Sequence, residues 1–451
     1  MHVKNLRQLC RESERSVSRH LREVALQAYD FALCCVDPAR LVRSALTLHD
    51  NILEIGGSNI DITATRVFVV GCGKASGTMA VALEDLLGDK LVCGCVNVPP
   101  ETICNTRLVR LNRAGHPVPD KNGVDGARRI IELADLACAD DLVICLISGG
   151  GSSLMPLPKA GISLADKQKI TTRLLKSGAS IGEINVVRKH LSDIKGGLLA
   201  RRIYSARLFN LILSDVVGDK LDIIASGPTV PDTSTFADAV AILQSYEIWQ
   251  TMPEAVGNLL IKGLRGSIEE TPKPDDLIFK RVSSHVLGNN RLALVAASKS
   301  LSAAGFSVEI VETAWQGDAL ELGRNLAERA LAVAHAVTPT AVVMGGEATV
   351  KVTGNGLGGR NQHAALAVVK ELAGNDKVLV AVLATDGIDG PTDACGALVD
   401  GDTLARAQKL DMTPETFLQN NDSYGFFNAL GDLVHTGYTG SNVNDIYIIL
   451  S

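Results

Sequence analysis

The sequence predicts an α/β protein of two domains: a doubly wound, Rossmann-like parallel sheet, followed by a mixed-sheet α/β domain. Length is the first reason. The 451 residues exceed what one compact core needs, and 46% apolar against 21% charged residues suit a large buried interior. The second reason is a series of short apolar runs ending at Gly, Ser or Asp, the pattern of parallel strands buried on both faces. The third is that helical periodicity alternates with those runs, which is how a doubly wound sheet is built.

Taken in order, residues 1–22 carry Lys4, Arg7, Arg11, Arg15, Arg19 and Arg22 and predict an exposed amphipathic helix. Glu12, Glu14 and Glu23 weigh against a mitochondrial import peptide, which is poor in acid. Arg66–Val70 reads as a strand closed by Gly71-Cys72-Gly73, followed by a helix over Ala75–Leu87 and a strand over Leu91–Val96. Leu142–Ile147, ending at Ser148-Gly149-Gly150-Gly151, and Leu208–Leu213, ending at Ser214-Asp215, continue the first domain, placed at 1–265. The polar stretch holding Pro272 and Pro274 predicts a linker over 266–280.

The second domain, 281–451, reads as a strand near His285–Leu287, a helix over Asn290–Ala304, a strand at Ser307–Val311 and a helix through Gly317–Ala336. Ala341–Met344 and Thr349–Val352 are expected to pair as a hairpin across Gly345–Ala348, which makes this sheet mixed. A helix from Asn361 and a strand at Val378–Ala384 follow. The active site is expected in the cleft between the domains.

Charge and cysteine content narrow the class. Lys plus Arg is 44 against 50 Asp plus Glu, a net −6, so a nucleic-acid partner is not expected. No run of eighteen apolar residues predicts a membrane span. Ten cysteines without a CxxC pair or zinc spacing imply reduced thiols. A cytoplasmic protein is expected, with mitochondrial import the second option. The oligomeric state is expected to be monomer or homodimer.

The chemistry sits at the strand ends, where doubly wound sheets bind ligands. Gly73-Lys74 opens a helix and offers a positive charge beside free N–H groups. Ser148-Gly149-Gly150-Gly151-Ser152 is expected to form an anion nest. Asp215 and Asp219 follow a buried strand, where a carboxylate serves as a proton acceptor or magnesium ligand. Arg188, Lys189 and His190, followed by Lys195, form a local cationic cluster. Lys189 and Asp193 could pair at i,i+4, so solvated charge is the default reading and binding of a substrate carboxylate or phosphate the second. In the second domain, Gly358-Gly359-Arg360-Asn361 opens a helix, and Arg360 suits bidentate carboxylate or phosphate contact. Glu347, Asp386 and Asp389 are oxygen donors suited to magnesium. Together these groups point to a polyanion and a metal.

The motifs GCGKAS, GHPVPD, SGGGSS, NVVRKHLSDIKGG, LILSDVVGD, IASGPT, GGEATV, GLGGRNQ, ATDGIDGPTDACGA and TGYTGSNVND occur in this order from Gly71 to Asp445. The series resembles the class II glycerate kinase family, whose second domain is the MOFRL domain. The resemblance implies ATP-dependent phosphorylation of D-glycerate, at the 2-hydroxyl, in serine and glycerate metabolism, with ATP and Mg2+ as the cofactors. It also implies active-site roles for the matching Lys74 and Arg360. Locally the chain departs from the family pattern at Ser153-Leu154-Met155 and at His363.

The expected mechanism sets the phosphates of Mg-ATP against Ser148–Ser152 and the second-domain glycine loop. Lys74 and Arg360 neutralise the glycerate carboxylate and the transferring phosphoryl group, and Asp215 accepts the hydroxyl proton. Two other classes compete. An NAD(P)-dependent hydroxypyruvate reductase would use GCGKASG as its fingerprint, but the glycine spacing is one residue too long and Val96-Asn97-Val98 lacks the ribose-binding acid. A non-catalytic glycerate or nucleotide sensor would be expected to have lost Lys74 or Arg360.

Overall fold

The computed structural model describes residues 2–11 and 16–451. The chain divides into two compact units, one of residues up to Asp37 together with Gly288–Ser451, the other Pro38–Leu287. That division differs from the boundaries expected from sequence, because the first 37 residues join the C-terminal half.

In Pro38–Leu287 a six-stranded sheet runs in the order Val109–Arg113, Leu91–Val98, Val67–Cys72, Leu142–Ser148, Arg207–Leu213, Val282–Gly288. The first five pair in parallel. Counted by appearance in the chain the order is third, second, first, fourth, fifth, sixth, the doubly wound arrangement. Every residue of Val67–Cys72 and of Leu142–Ser148 is buried, which explains why their sequences are continuous apolar runs rather than alternating ones. The order reverses between these two strands, and a crevice opens past their carboxyl ends. An antiparallel meander of Leu46–His49, Ile52–Ile55 and Ser58–Asp61 precedes the sheet.

The stretch 266–280 is packed rather than a spacer. Thr271 is buried and its hydroxyl donates to Asp232 at 3.0 Å. The Asp232 N–H donates to the Pro272 carbonyl at 2.9 Å, so the prolines shape a segment held against its own unit.

The other unit holds a mixed sheet in the order Ser307–Ile310, Thr340–Thr349, Asp445–Leu450, Leu379–Ala384, Gly396–Asp400, Leu433–Val434, with Trp315–Asp318 also beside Thr340–Thr349. The expected hairpin is absent: Thr340–Thr349 is one strand running through Gly345-Gly346. The mixed character stands, because Asp445–Leu450 pairs antiparallel with both Thr340–Thr349 and Leu379–Ala384.

The leading segment is not an exposed amphipathic helix. It forms Leu6–Arg11 and Ser16–Cys35, and the latter packs on the helix Asn290–Ala303. Arg22 is fully buried, bonded to Asp400 at 2.8 Å and Asp432 at 2.7 Å. Arg11, Glu12, Glu14 and Arg15 lie outside the described side chains. No described helix is long and apolar enough to cross a membrane.

Candidate functional site

The crevice of the parallel sheet gathers most of the expected residues. Lys74 lies between the strand Val67–Cys72 and the helix Ser76–Leu87, and its N–H donates to the Gly149 carbonyl at 2.8 Å. The two glycine loops thus clasp each other. Gly73 adopts φ +141°, and a side chain there would meet the Ser148 backbone at 2.6 Å, so only glycine lets the loops approach this closely. Ser148 faces inward: its hydroxyl accepts from the Ala75 N–H at 2.9 Å and touches the Ser76 hydroxyl at 3.1 Å. It secures the start of the helix that follows Lys74, a structural task in place of the phosphate contact expected of it. Gly150, in the left-handed region at φ +80°, lies against the Lys74 side chain and the His116 ring. Gly151 packs on Cys72 and Ala225, and the Ser152 hydroxyl meets that of Ser226 at 2.8 Å.

Ser152 leads into a cavity of about 150 Å³. Its apolar walls are Pro117, Val118, Pro119, Pro156, Leu164 and Leu175, so the GHPVPD motif supplies one side. Its polar lining includes Ser152, Ser153, Gln168 and three cationic side chains, Lys167, Arg188 and Lys195. Arg188 comes from the helix Ile181–His190, which starts at a capping box of Ser180 and Glu183 and ends in three basic residues, as the helix dipole favours. Those three neighbours have three fates, because successive helical residues point about 100° apart. Arg188 turns into the cavity. Lys189 is buried against Asp232 at 3.2 Å and Asp222 at 3.6 Å, a structural ion pair, and Asp193 instead pairs with Lys159. His190 is buried between the Val186 carbonyl and Glu270.

Arg188 makes no hydrogen bond or ion pair with any described residue, and burial lowers the guanidinium's affinity for its proton. Lys195, only 1% exposed, donates to the Ala225 carbonyl at 3.3 Å. Burial brings its ammonium down to about 7. The nearby Cys72 thiol is itself pushed up to about 12 by burial and so supplies no compensating charge near neutral pH. Lys167 falls well below its usual range, chiefly by burial and then by Lys195 and Arg188, with Asp193 opposing. Cations buried without carboxylates are costly, so an anion is the expected occupant. Sequence reasoning found Arg188 as a site residue, placed Lys195 in the same cationic cluster without assigning it a role, and missed Lys167.

Asp215 follows the strand Arg207–Leu213, whose Leu213 lies opposite Ser148. Asp215 is half-buried two residues past that point. Asp219 sits in the tight turn beyond, at φ +51°, with its N–H on the Val216 carbonyl.

In the second unit Arg360 opens the helix Arg360–Val368. Its guanidinium takes Asp445 at 2.7 and 3.1 Å and Glu347 at 2.7 Å, so its bidentate face is occupied by the chain's own carboxylate. Asp389 caps the same helix, accepting the Asn361 N–H at 3.0 Å and the Gln362 N–H at 2.8 Å. Burial nonetheless raises it to about 7, with Asp445 adding to the rise and those N–H groups opposing it. Gly358 and Gly359 lie against Ser423 and Asp389, which accounts for their lack of side chains by internal packing. Asp386 anchors a turn through the Ile388 N–H at 3.1 Å. Asp445, absent from the expected site, is the residue that organises Arg360. His363 is buried, which lowers its ring below the usual value. Asp219 belongs to the other unit, and among the described residues Glu347, Asp386 and Asp389 do not gather their oxygens into a three-ligand cage.

Residues 24–261 match a family described as Domain of unknown function (DUF4147), and residues 340–445 match the MOFRL family. The glycerate 2-kinase of Pyrococcus horikoshii is 38% identical over 96% of this chain and 98% of that protein. A putative hydroxypyruvate reductase of Agrobacterium vitis is also 38% identical, over 98% and 96%. The crystal structure of a glycerate kinase from Thermotoga maritima is 39% identical with a TM-score of 0.83, over 96% of this chain and 99% of that one. Agreement of this extent, over both regions and in both sequence and fold, shows that the chain belongs to the class II glycerate kinase family.

Proposed function

We propose that this protein transfers the γ-phosphoryl group of ATP to D-glycerate, at the 2-hydroxyl. One observation carries the reading within the chain: the lysine-bearing glycine turn is clasped to a second glycine loop that opens directly on a cavity lined by cations. A phosphoryl donor and a small acid need that pairing of environments. The glycerate kinase names borne by full-length relatives support the same chemistry. The reductase name that two relatives bear draws no support from the site. Asn97, where a ribose-binding acid would stand, is buried with its amide on the Leu154 and Gly123 carbonyls.

Phosphoryl transfer needs positioning and charge neutralisation more than covalent catalysis. Lys74 neutralises the transferring group, and Gly149, Gly150, Gly151 and Ser152 face the phosphates. Asp215 orients the attacking hydroxyl and takes its proton late in the transfer. Arg360 is the cation of its own unit: exchange of Glu347, its more exposed partner, would free one face of the guanidinium for an anion, while Asp445 keeps it in place. Magnesium suits the oxygen-only donor set, and Asn361 Oδ1, buried without a hydrogen-bond partner, is an acceptor left over. Glu347 and Asp386 would hold the ion, which would supply neutralisation of phosphate charge. Asp389 serves the helix cap instead.

The test follows ATP consumption with D-glycerate beside NAD(P)H oxidation with hydroxypyruvate. Kinase turnover is expected, and Lys74→Ala and Asp215→Asn are each expected to lower kcat by about 100-fold or more. Hydroxypyruvate reduction in the absence of ATP consumption overturns the reading. Turnover within about threefold of the parent in both variants overturns the residue roles.

A further inference from the structure

We propose that the cavity lined by Lys167, Arg188 and Lys195 is the acid-recognition subsite, which takes the carboxylate of a small hydroxy acid and excludes the nucleotide. This rests on the kinase reading and adds to it the residues that select the acceptor. Three independent features support it. The first is size. A cavity of about 150 Å³ accommodates a ligand of roughly six or seven non-hydrogen atoms, the scale of benzene or glycerate, and is too small for a nucleoside triphosphate.

The second feature is charge. The half-buried Arg188 has no partner among the described residues, and the Lys195 ammonium touches only a backbone carbonyl. Neither has the carboxylate that a buried cation ordinarily requires, and a planar guanidinium matches a carboxylate bidentately. The third is position. Ser152 lines the cavity and belongs to the loop that clasps Lys74, so an acid anchored here lies beside the proposed phosphoryl group. The apolar walls lower the local polarity beside these cations and strengthen the contact.

Proton uptake should accompany binding. Lys195 faces Cys72, Arg188 and Lys167, while Lys167 also faces Asp193 and Lys159. None of these gives Lys195 a close anion. An incoming carboxylate does, so it raises the Lys195 affinity for its proton.

Steady-state kinetics and calorimetry of Arg188→Gln and Lys195→Met test the proposal. The KM for D-glycerate is expected to rise about 10- to 100-fold in each variant, with the KM for ATP within about twofold. Preference for D-glycerate over glycerol, which lacks the carboxylate, is expected to collapse in Arg188→Gln, a change that a general folding defect would not produce. Titration of D-glycerate into the parent protein, near pH 7.5 in buffers of different ionisation enthalpy, should show proton uptake that Lys195→Met abolishes. Unchanged glycerate KM and unchanged preference over glycerol in both variants overturn the subsite while leaving the kinase intact. If the parent protein phosphorylates no glycerate, the kinase reading fails, and calorimetry of D-glycerate alone still decides the subsite: binding weakened by both variants supports it, and binding indifferent to them overturns it.

Discussion

Arg22 shows what a residue's surroundings do to a plain sequence feature. Among the basic residues of the leading segment it looks like one more solvated charge, yet it is buried between Asp400 and Asp432. Replacing it with methionine leaves the two buried carboxylates with Arg406 as their one remaining cation, and a loss of about 3–5 kcal/mol in urea unfolding is expected. The same cluster sets an acid limit. Burial alone would raise the Asp400 carboxyl, but Arg22, the Ser18 hydroxyl and Arg406 hold it down at about 2. A folded value below the ordinary 3.8 means that this stabilisation is complete above about pH 4 and fades as pH falls towards 2. Urea unfolding followed across that range should show the decline, and Asp400→Asn should flatten it. A similar contrast separates Lys74 from Lys195. The first stood out because glycines announce its loop. The second also precedes two glycines, Gly196-Gly197, but its significance lies in desolvation and in the missing counter-charge, both properties of tertiary packing.

At the scale of elements, buried strands and the helices after them were readable because a two-sided burial writes a continuous apolar run. Glycine was the less reliable sign. Gly345-Gly346 resembles a turn, but a side chain on Gly346 would come within 2.2 Å of the Trp315 carbonyl oxygen on the neighbouring strand. Glycine is there for close backbone approach within one continuous strand. Gly358 and Gly359 mislead similarly: their neighbours are Ser423 and Asp389 rather than open space for phosphate. Gly73 is the case where loop and chemistry coincide. Gly73→Ala is expected to displace the clasp between Lys74 and Gly149 and to reduce kcat/KM by about tenfold or more, with Lys74 still present. A crystal structure and kinetics of the variant would check this, and an undisturbed clasp with parental activity would refute it.

For the whole molecule, the doubly wound order and the mixed second sheet follow from which segments are strands. The partners of distant segments do not. The strand Asp445–Leu450 lies between Thr340–Thr349 and Leu379–Ala384, and its own sequence is an evident apolar run, yet no local signal says which strands it joins. The helix Ser16–Cys35 belongs with residues beyond Gly288 for the same reason: the bond from Tyr29 to the Ala384 carbonyl spans most of the chain. Motif order, by contrast, carried family membership through every such non-local pairing, because chemistry constrains the loops wherever the chain brings them. The account as a whole stands on one reaction, and phosphorus NMR of the product formed from ATP and D-glycerate tests it most directly. It predicts ADP and a single phosphate monoester on the 2-carbon, its phosphorus coupled to one carbon-bound proton. A phosphorus coupled to two such protons would contradict the assigned hydroxyl, and unchanged ATP with folded protein would contradict the kinase itself.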